Sequence, residues 1–233
     1  MEVEKKEVAN FYDQYKTRQG KVGTNVRHRT ILKLVKKCGL KKDSKILEIG
    51  CGIGTVTRLL AAYSNNGKIV AVDISPESIN DAKALSKDFS NIEYKVSDMS
   101  DFSSTMKFDF VVLPDVLEHI PISQHKPLFA TIRKHIHEDA TVFIHIPNPW
   151  YLKWVRKNKP ELLQIIDQSI STDELLANVY PNDLYLYSLD SYTLSAEQSD
   201  YQAIVLKPNK EYPEVTFKPR HRLIYKHLIS KWY

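Results

Sequence analysis

The densest chemical signal in the chain is an acid followed by three alternating glycines. Glu48, Gly50, Gly52 and Gly54 lie in the run KILEIGCGIGTVT, residues 45–57. Glycine permits positive φ and lets a ligand approach the backbone closely. A helix beginning near Thr55 points its free N–H groups back at the turn, and the result is a nucleotide-type cradle. The spacing speaks against two common ligands. A dinucleotide fingerprint carries its third glycine where this chain has Thr55, and a Walker lysine with its Ser/Thr partner is absent. Glu48, two residues before the first glycine, opposes a pyrophosphate and suits a ligand that carries positive charge.

Further groups with chemical potential fall beyond the ends of expected strands: Asp73, Asp98, Asp115, His119 and His145. Apolar runs predict strands at Ile46–Ile49, Lys68–Asp73, Asn91–Val96, Phe108–Leu113 and Thr141–Ile146. Helices are expected over 55–62, over Pro76–Asp88 with Pro76 near its start, and over 123–135. Upstream, helices are expected over 4–17 and Val26–Cys38. Downstream, a short helix spans 172–180, and Leu184–Leu194 with Gln202–Leu206 closes the fold as an antiparallel pair. Such alternation predicts an α/β doubly wound sheet with ligands at the carboxyl ends of its strands. Asp73 ends the second strand, where a carboxylate accepts both hydroxyls of a ribose. That role serves any adenosine ligand, NAD included.

The run E-I-G-C-G-I-G resembles motif I of the class I S-adenosylmethionine-dependent methyltransferases. The segment D-V-L-E-H-I-P, residues 115–121, is similar to one found in a small-molecule branch of that family, the methyltransferase type 11/12-like branch. With the acids after the second and third strands, the resemblance covers 45–121 in order. It implies a seven-stranded, mainly parallel sheet behind an N-terminal helical cap, with S-adenosylmethionine as cofactor. Carried over residue by residue, it implies that Glu48, Gly50, Cys51, Gly52 and Gly54 hold the methionine part. Asp73 with Ile74 then takes the ribose, Asp98 with Met99 the adenine, and Asp115 is a further cofactor contact. His119 is the expected general base, because an alcohol acceptor must lose a proton; the alternative is a histidine that only shapes the turn. Some relatives with E-x-x-E-H hold a divalent metal there. This chain has Asp115, Glu118 and His119 in those places, so no metal is expected, with that trio as the one candidate set.

The acceptor side is read from Tyr12 and Tyr15 of the first helix and from His145, Asn148, Trp150 and Tyr151 around IPNPWY. Aromatic faces beside an amide suit a sugar ring. His145 also fits as a satisfied core histidine, and Trp154 as a residue packed on the sheet. The stretch IPNPWYLKWVRKNKPELLQIID is similar to methyltransferases encoded among bacterial surface-polysaccharide genes, which implies a small polar, glycan-related acceptor methylated on oxygen or, second, on nitrogen. An NAD-linked oxidoreductase and a non-catalytic docking subunit are the alternatives.

Three segments are expected: a helical cap over 1–40, a methyltransferase domain over 41–206 and a basic extension over 207–233. The net charge is +5, and the seven Lys/Arg and two Glu from Lys207 onward account for all of it. A neutral body and no Asn-Pro-Pro-aromatic motif argue against a nucleic-acid substrate. Leu223, Ile224, Leu228, Ile229 and Trp232 punctuate a C-terminal helix that docks on its own domain, on a second subunit or on an anionic membrane. Two cysteines, Cys38 and Cys51, form no disulfide framework, no apolar run reaches the roughly 20 residues of a membrane span, and the N-terminus lacks a signal-peptide core. A cytoplasmic setting is therefore expected.

Overall fold

In the computed structural model, residues 23–164, 166–211 and 214 are described. The expected helix over 4–17, with Tyr12 and Tyr15, and the expected C-terminal helix lie outside them.

Helix α1 (Val26–Lys37) begins at Asn25, whose side chain accepts from the His28 N–H while the His28 ring accepts from the Asn25 N–H. Strand β1 (Lys45–Ile49) leads through the glycine turn into α2 (Thr55–Tyr63). Next come β2 (Lys68–Asp73), α3 (Pro76–Leu85), β3 (Ile92–Val96), β4 (Phe108–Pro114), α4 (His125–His135) and β5 (Ile136–Pro147). The chain continues with α5 (Pro149–Asn158), α6 (Thr172–Val179), β6 (Leu184–Tyr192) and β7 (Tyr201–Pro208). The seven strands stand in the order β3-β2-β1-β4-β5-β7-β6, the first five parallel and β7 antiparallel to both neighbours. The sheet is therefore the mainly parallel seven-stranded one expected.

Two small departures have local causes. α4 starts at His125 because a single 3-10 turn, Ile122–Gln124, precedes it. β5 begins five residues early because Ile136 pairs with Phe108 before the register slips and Thr141 takes up Phe110.

Both faces of the sheet are covered, which explains why its central strands read as continuous apolar runs. Alternation along β1 sends Leu47 and Ile49 to one face, with Leu128, Phe129 and Ile132 of α4 and Leu175 of α6. Ile46 goes to the other, with Ile31 and Val35 of α1, Leu60 of α2 and Ile79 of α3. α1 is thus built into the core. Glu48 shares the Ile46 face and is the only acid on β1, fully buried in an otherwise apolar strand interior.

The crossing of β1 and β4 is tight. Gly50 has φ +74°, and a Cβ there would lie 2.4 Å from Val116 Cγ2 and 2.7 Å from Val116 Cβ. Gly50→Ala therefore adds left-handed strain and a clash that no flexible side-chain end can relieve. It should destabilise the protein by about 1–3 kcal/mol, seen as a lower denaturant midpoint with an unchanged slope. An unchanged midpoint would contradict this reading of the turn.

Candidate functional site

A cavity of about 360 Å³ opens at the carboxyl ends of β1, β2, β3 and β4. This is where the polarity of a parallel sheet places ligands. The glycine turn forms its floor. Gly50 and Cys51 N–H both donate to the Val72 carbonyl, at 2.8 and 3.0 Å, tying the turn to β2. Gly52 N–H donates to Asp73 Oδ2 at 2.7 Å, and Ser75 N–H to Asp73 Oδ1 at 2.9 Å. These two bonds, one to each oxygen, orient the Asp73 carboxylate at the end of β2.

Glu48 lines the cavity and is fully buried. Neither of its carboxyl oxygens has a hydrogen-bond partner among the described residues. Burial pushes its pKa up to about 8; the Asp73 charge adds to this, while the Thr57 hydroxyl and Arg58 oppose it. A buried acid without a partner is costly unless a ligand completes it. Cys51 and Ile74 also line the cavity, and burial holds the Cys51 thiol well above its ordinary range, so it is no nucleophile. At the end of β3, Asp98 accepts from Ser100 N–H at 2.9 Å, and Met99, 3% exposed, adopts φ 71°. Asp115, at φ 56°, is the second cavity residue in the left-handed region without being glycine. Such conformations cost of order 1–3 kcal/mol and collect at functional sites.

At the other end of the cavity two charge networks meet. In the first, Asp115 Oδ2 lies 3.2 Å from Arg27 Nε, and Oδ1 accepts from His145 Nδ1. His145 Nε2 is 2.6 Å from Tyr192 Oη, its ring stacks on Tyr201 at 4.8 Å, and Arg27 Nη1 donates to Tyr201 Oη at 3.1 Å. Burial alone would raise the Asp115 pKa; His145 and then Arg27 override it and hold the carboxylate below its usual range. Burial, with the Asp115 charge second, pushes Tyr201 up to about 12, so its hydroxyl keeps its proton.

The second network surrounds His119, on the 3-10 turn Leu117–His119. Its Nδ1 contacts the Ile166 carbonyl at 2.5 Å and Asp167 Oδ1 at 3.1 Å. Its Nε2 lies 3.8 Å from Glu118 Oε1 and 3.2 Å from the Gln164 amide. Burial works against the charged ring, but Glu118 and Asp167 outweigh it and raise the pKa to about 9. Burial also pushes Glu118 up to about 8, so this acid and the ring share their proton, and Asp167 favours its place on the ring. The Gln164 amide meets the ring through its nitrogen, and its oxygen has no partner among the described residues.

The cavity brings together every expected cofactor residue that borders it: Glu48, Gly50, Cys51, Gly52, Asp73, Ile74, Asp98, Met99 and Asp115. Gly54 sits behind the turn, at φ +76°, where a Cβ would meet Tyr94 Oη at 2.4 Å. His119 also borders the cavity, and the acids beside it favour a ring that holds its proton, which speaks for a donor role over the expected one of base.

The acceptor residues after β5 are not in the cavity lining. His145 is buried beneath Asp115, the core alternative. Asn148 caps α5 by accepting from Trp150 N–H at 2.9 Å. Tyr151 is half-buried on α5, and Trp150 is 74% exposed. Trp154, expected against the sheet, is 51% exposed. The candidate metal trio is not assembled either. Asp115 is turned to Arg27 and His145 while Glu118 and His119 face each other, and among the described residues no group of His, Cys, Asp or Glu has metal-holding geometry. Sequence reasoning missed Arg27, His28 and Gln164 in the cavity wall, and Tyr192, Tyr201 and Asp167 behind it. An arginine and a histidine just after the Asn25 helix cap were the available signal for the first two.

Comparison with known proteins gives a consistent picture. A family profile described as a methyltransferase domain matches residues 46–139. The chain is 34% identical over 73 residues to malonyl-acyl-carrier-protein O-methyltransferase 1 of Ilyobacter polytropus, covering 31% of this chain and 27% of that one. It is 31% identical over 94 residues to nodulation protein S of Sinorhizobium fredii, covering 40% and 42%. The chain thus spans less than half the length of these relatives. In structure it resembles the N-methyltransferase NodS of Bradyrhizobium japonicum WM9 in complex with S-adenosyl-L-homocysteine. The TM-score is 0.62 at 19% identity, over 79% of this chain and 86% of that one. Glycine turn, strand-end acids, sheet order and profile match agree: residues 46–139 are similar to methyltransferase domains, and the sheet has the fold of solved S-adenosylmethionine-dependent methyltransferases.

Proposed function

We propose that this protein is an S-adenosylmethionine-dependent methyltransferase acting on a small polar acceptor. The observation that carries the reading is Glu48. A fully buried carboxyl with two unpartnered oxygens, beside a glycine turn and an oriented Asp73, fits a cationic adenosyl ligand and repels a pyrophosphate. The methyltransferase-domain match over residues 46–139 supports this reading over the oxidoreductase alternative.

Glu48 and the turn residues would hold the methionine end of the cofactor, Asp73 the ribose hydroxyls, and Asp98 with Met99 the adenine. When bound, the cofactor supplies a methyl on a sulfonium, which an acceptor atom displaces in line. The leaving thioether is neutral and takes no proton, so alignment is the main task of the chain, and alignment supplies roughly 7–11 kcal/mol. Asp115 is locked by Arg27 and His145, so the wall at the end of β4 is rigid. His119 and Gln164 border the acceptor end as hydrogen-bond donors and hold the acceptor rather than deprotonate it. Oxygen on a glycan-related molecule remains the leading acceptor. Nitrogen is the second reading, favoured by the N-methyltransferase relative.

Asp73→Ala should weaken S-adenosylhomocysteine binding by about tenfold to a hundredfold in titration calorimetry, with the circular dichroism spectrum unchanged. Affinity within about threefold of wild type would remove the ribose assignment.

The His119 reading fixes the sign of a pH effect. A donor imidazolium persists below its pKa of about 9 and is lost above it. Methyl transfer, scored with labelled S-adenosylmethionine against pooled sugar and amine acceptors, should therefore fall through that range. In His119→Gln the fall should vanish. A rate that climbs through pH 9 in the wild type and not in the variant would restore His119 as a base.

A further inference from the structure

Helix α5 has two unlike faces. Pro149, Leu152 and Val155 are buried against the domain. On the outer face Trp150 is 74% exposed and Trp154, one turn on, 51%; Leu162 of the following 3-10 turn is 61% exposed. Large apolar side chains grouped this way on a surface mark a contact site rather than ordinary scatter. Lys153, Lys157 and Lys159 are exposed on the same stretch, and Lys153 Nζ stands 4.6 Å from the Trp150 ring centroid. Glu161 is the only acid between positions 149 and 162. Asp173 and Glu174 at the start of α6 offset part of the Lys153 charge and leave Lys157 and Lys159 to set the sign.

The kind of partner follows from this combination. Trp is an amphipathic ring suited to the depth of lipid headgroups, and lysines beside it are drawn to an anionic surface. A second copy of the chain is the poorer fit, because a two-fold interface sets the same patch against itself and brings like charges together.

We propose that the Trp150–Trp154 face of α5, ringed by Lys153, Lys157 and Lys159, docks the protein on an anionic lipid bilayer. The face is joined to the cavity. Arg156 of α5 donates to Ser169 Oγ at 3.0 Å and to the Asp167 carbonyl, and the Asp167 carboxylate meets His119 Nδ1 at 3.1 Å. Docking would bring the acceptor end to the headgroup layer, so the acceptor class becomes a polar group carried on a lipid. That last step rests on the methyltransferase reading, whereas the docking does not.

The test is co-sedimentation of the full chain with vesicles of phosphatidylcholine alone and of phosphatidylcholine mixed with phosphatidylglycerol. The protein should sediment with the mixed vesicles, less so as salt rises. Trp150→Gln with Trp154→Gln should lower the partition coefficient at least about tenfold. Lys153→Gln with Lys157→Gln should do the same, at about fivefold per lysine. All four side chains are exposed and outside the cavity lining, so S-adenosylhomocysteine affinity, measured in parallel, should not change. Absence of the protein from the mixed-vesicle pellet would overturn the proposal. So would equal partitioning of the tryptophan variant, which would assign any contact to another segment such as the basic C-terminal residues. Self-association that the tryptophan changes abolish would give the face to a second copy and overturn it as well. Failure of the wild type to bind S-adenosylhomocysteine would reject the methyltransferase reading alone and leave the vesicle result standing.

Discussion

The site depends on a contact that only a residue without a side chain can make. β1 and β4 are hydrogen-bonded neighbours in the middle of the sheet, and their carboxyl ends must diverge to leave room for a ligand. They do so with Gly50 against Val116, at a distance where a Cβ would overlap a branched side chain. Because Gly50 yields, its N–H and that of Cys51 swing to the Val72 carbonyl, and the next N–H in the turn, that of Gly52, reaches Asp73. The carboxylate placed for a ribose is thus aimed by the same turn that makes the opening. Fold and cradle are one constraint.

Around that opening the protein keeps an unusual amount of buried charge. It is divided into a pre-neutralised end and an end left open. Asp115 is closed off by Arg27 and His145, a pair sealed in turn by Tyr192 and Tyr201. Removing one member of such a group strands the other, which costs more than the pair contributes. Glu48, by contrast, has no charged partner among the described residues that offsets its burial, which pushes its pKa up to about 8. The site therefore spends stability at one point to gain selectivity for charge, and spends little at the other.

Much of this was legible in the residues themselves. The strands, their order of appearance and the acids at their ends follow from apolar runs and from the spacing of Glu48, Asp73, Asp98 and Asp115, since a parallel sheet must put its strand ends on one side. The acceptor end was not legible, for two physical reasons. Its groups come from distant parts of the chain: Arg27 meets Tyr201 across 174 positions and His119 meets Gln164 across 45, and no local pattern announces such pairs. Aromatic residues near a strand end are also ambiguous, because Trp150 and Trp154 occupy the same helix as Leu152 and Val155, and a shift of one or two positions decides between pocket, core and water.

β7 enters the sheet between β5 and β6, although it is the last of the seven strands in the chain. Its residues Ala203 to Leu206 are buried, so β5 has an unpaired edge until the chain has been made as far as Pro208. Tyr201 on that strand is the ring on which His145 stacks and the partner of Arg27. The wall of the cavity is consequently finished by the same event that finishes the sheet. On the ribosome, a nascent chain would hold the glycine turn early but a complete acceptor end only after its last strand had emerged. Aggregation through the open β5 edge and premature ligand capture are thereby tied to one late step in synthesis.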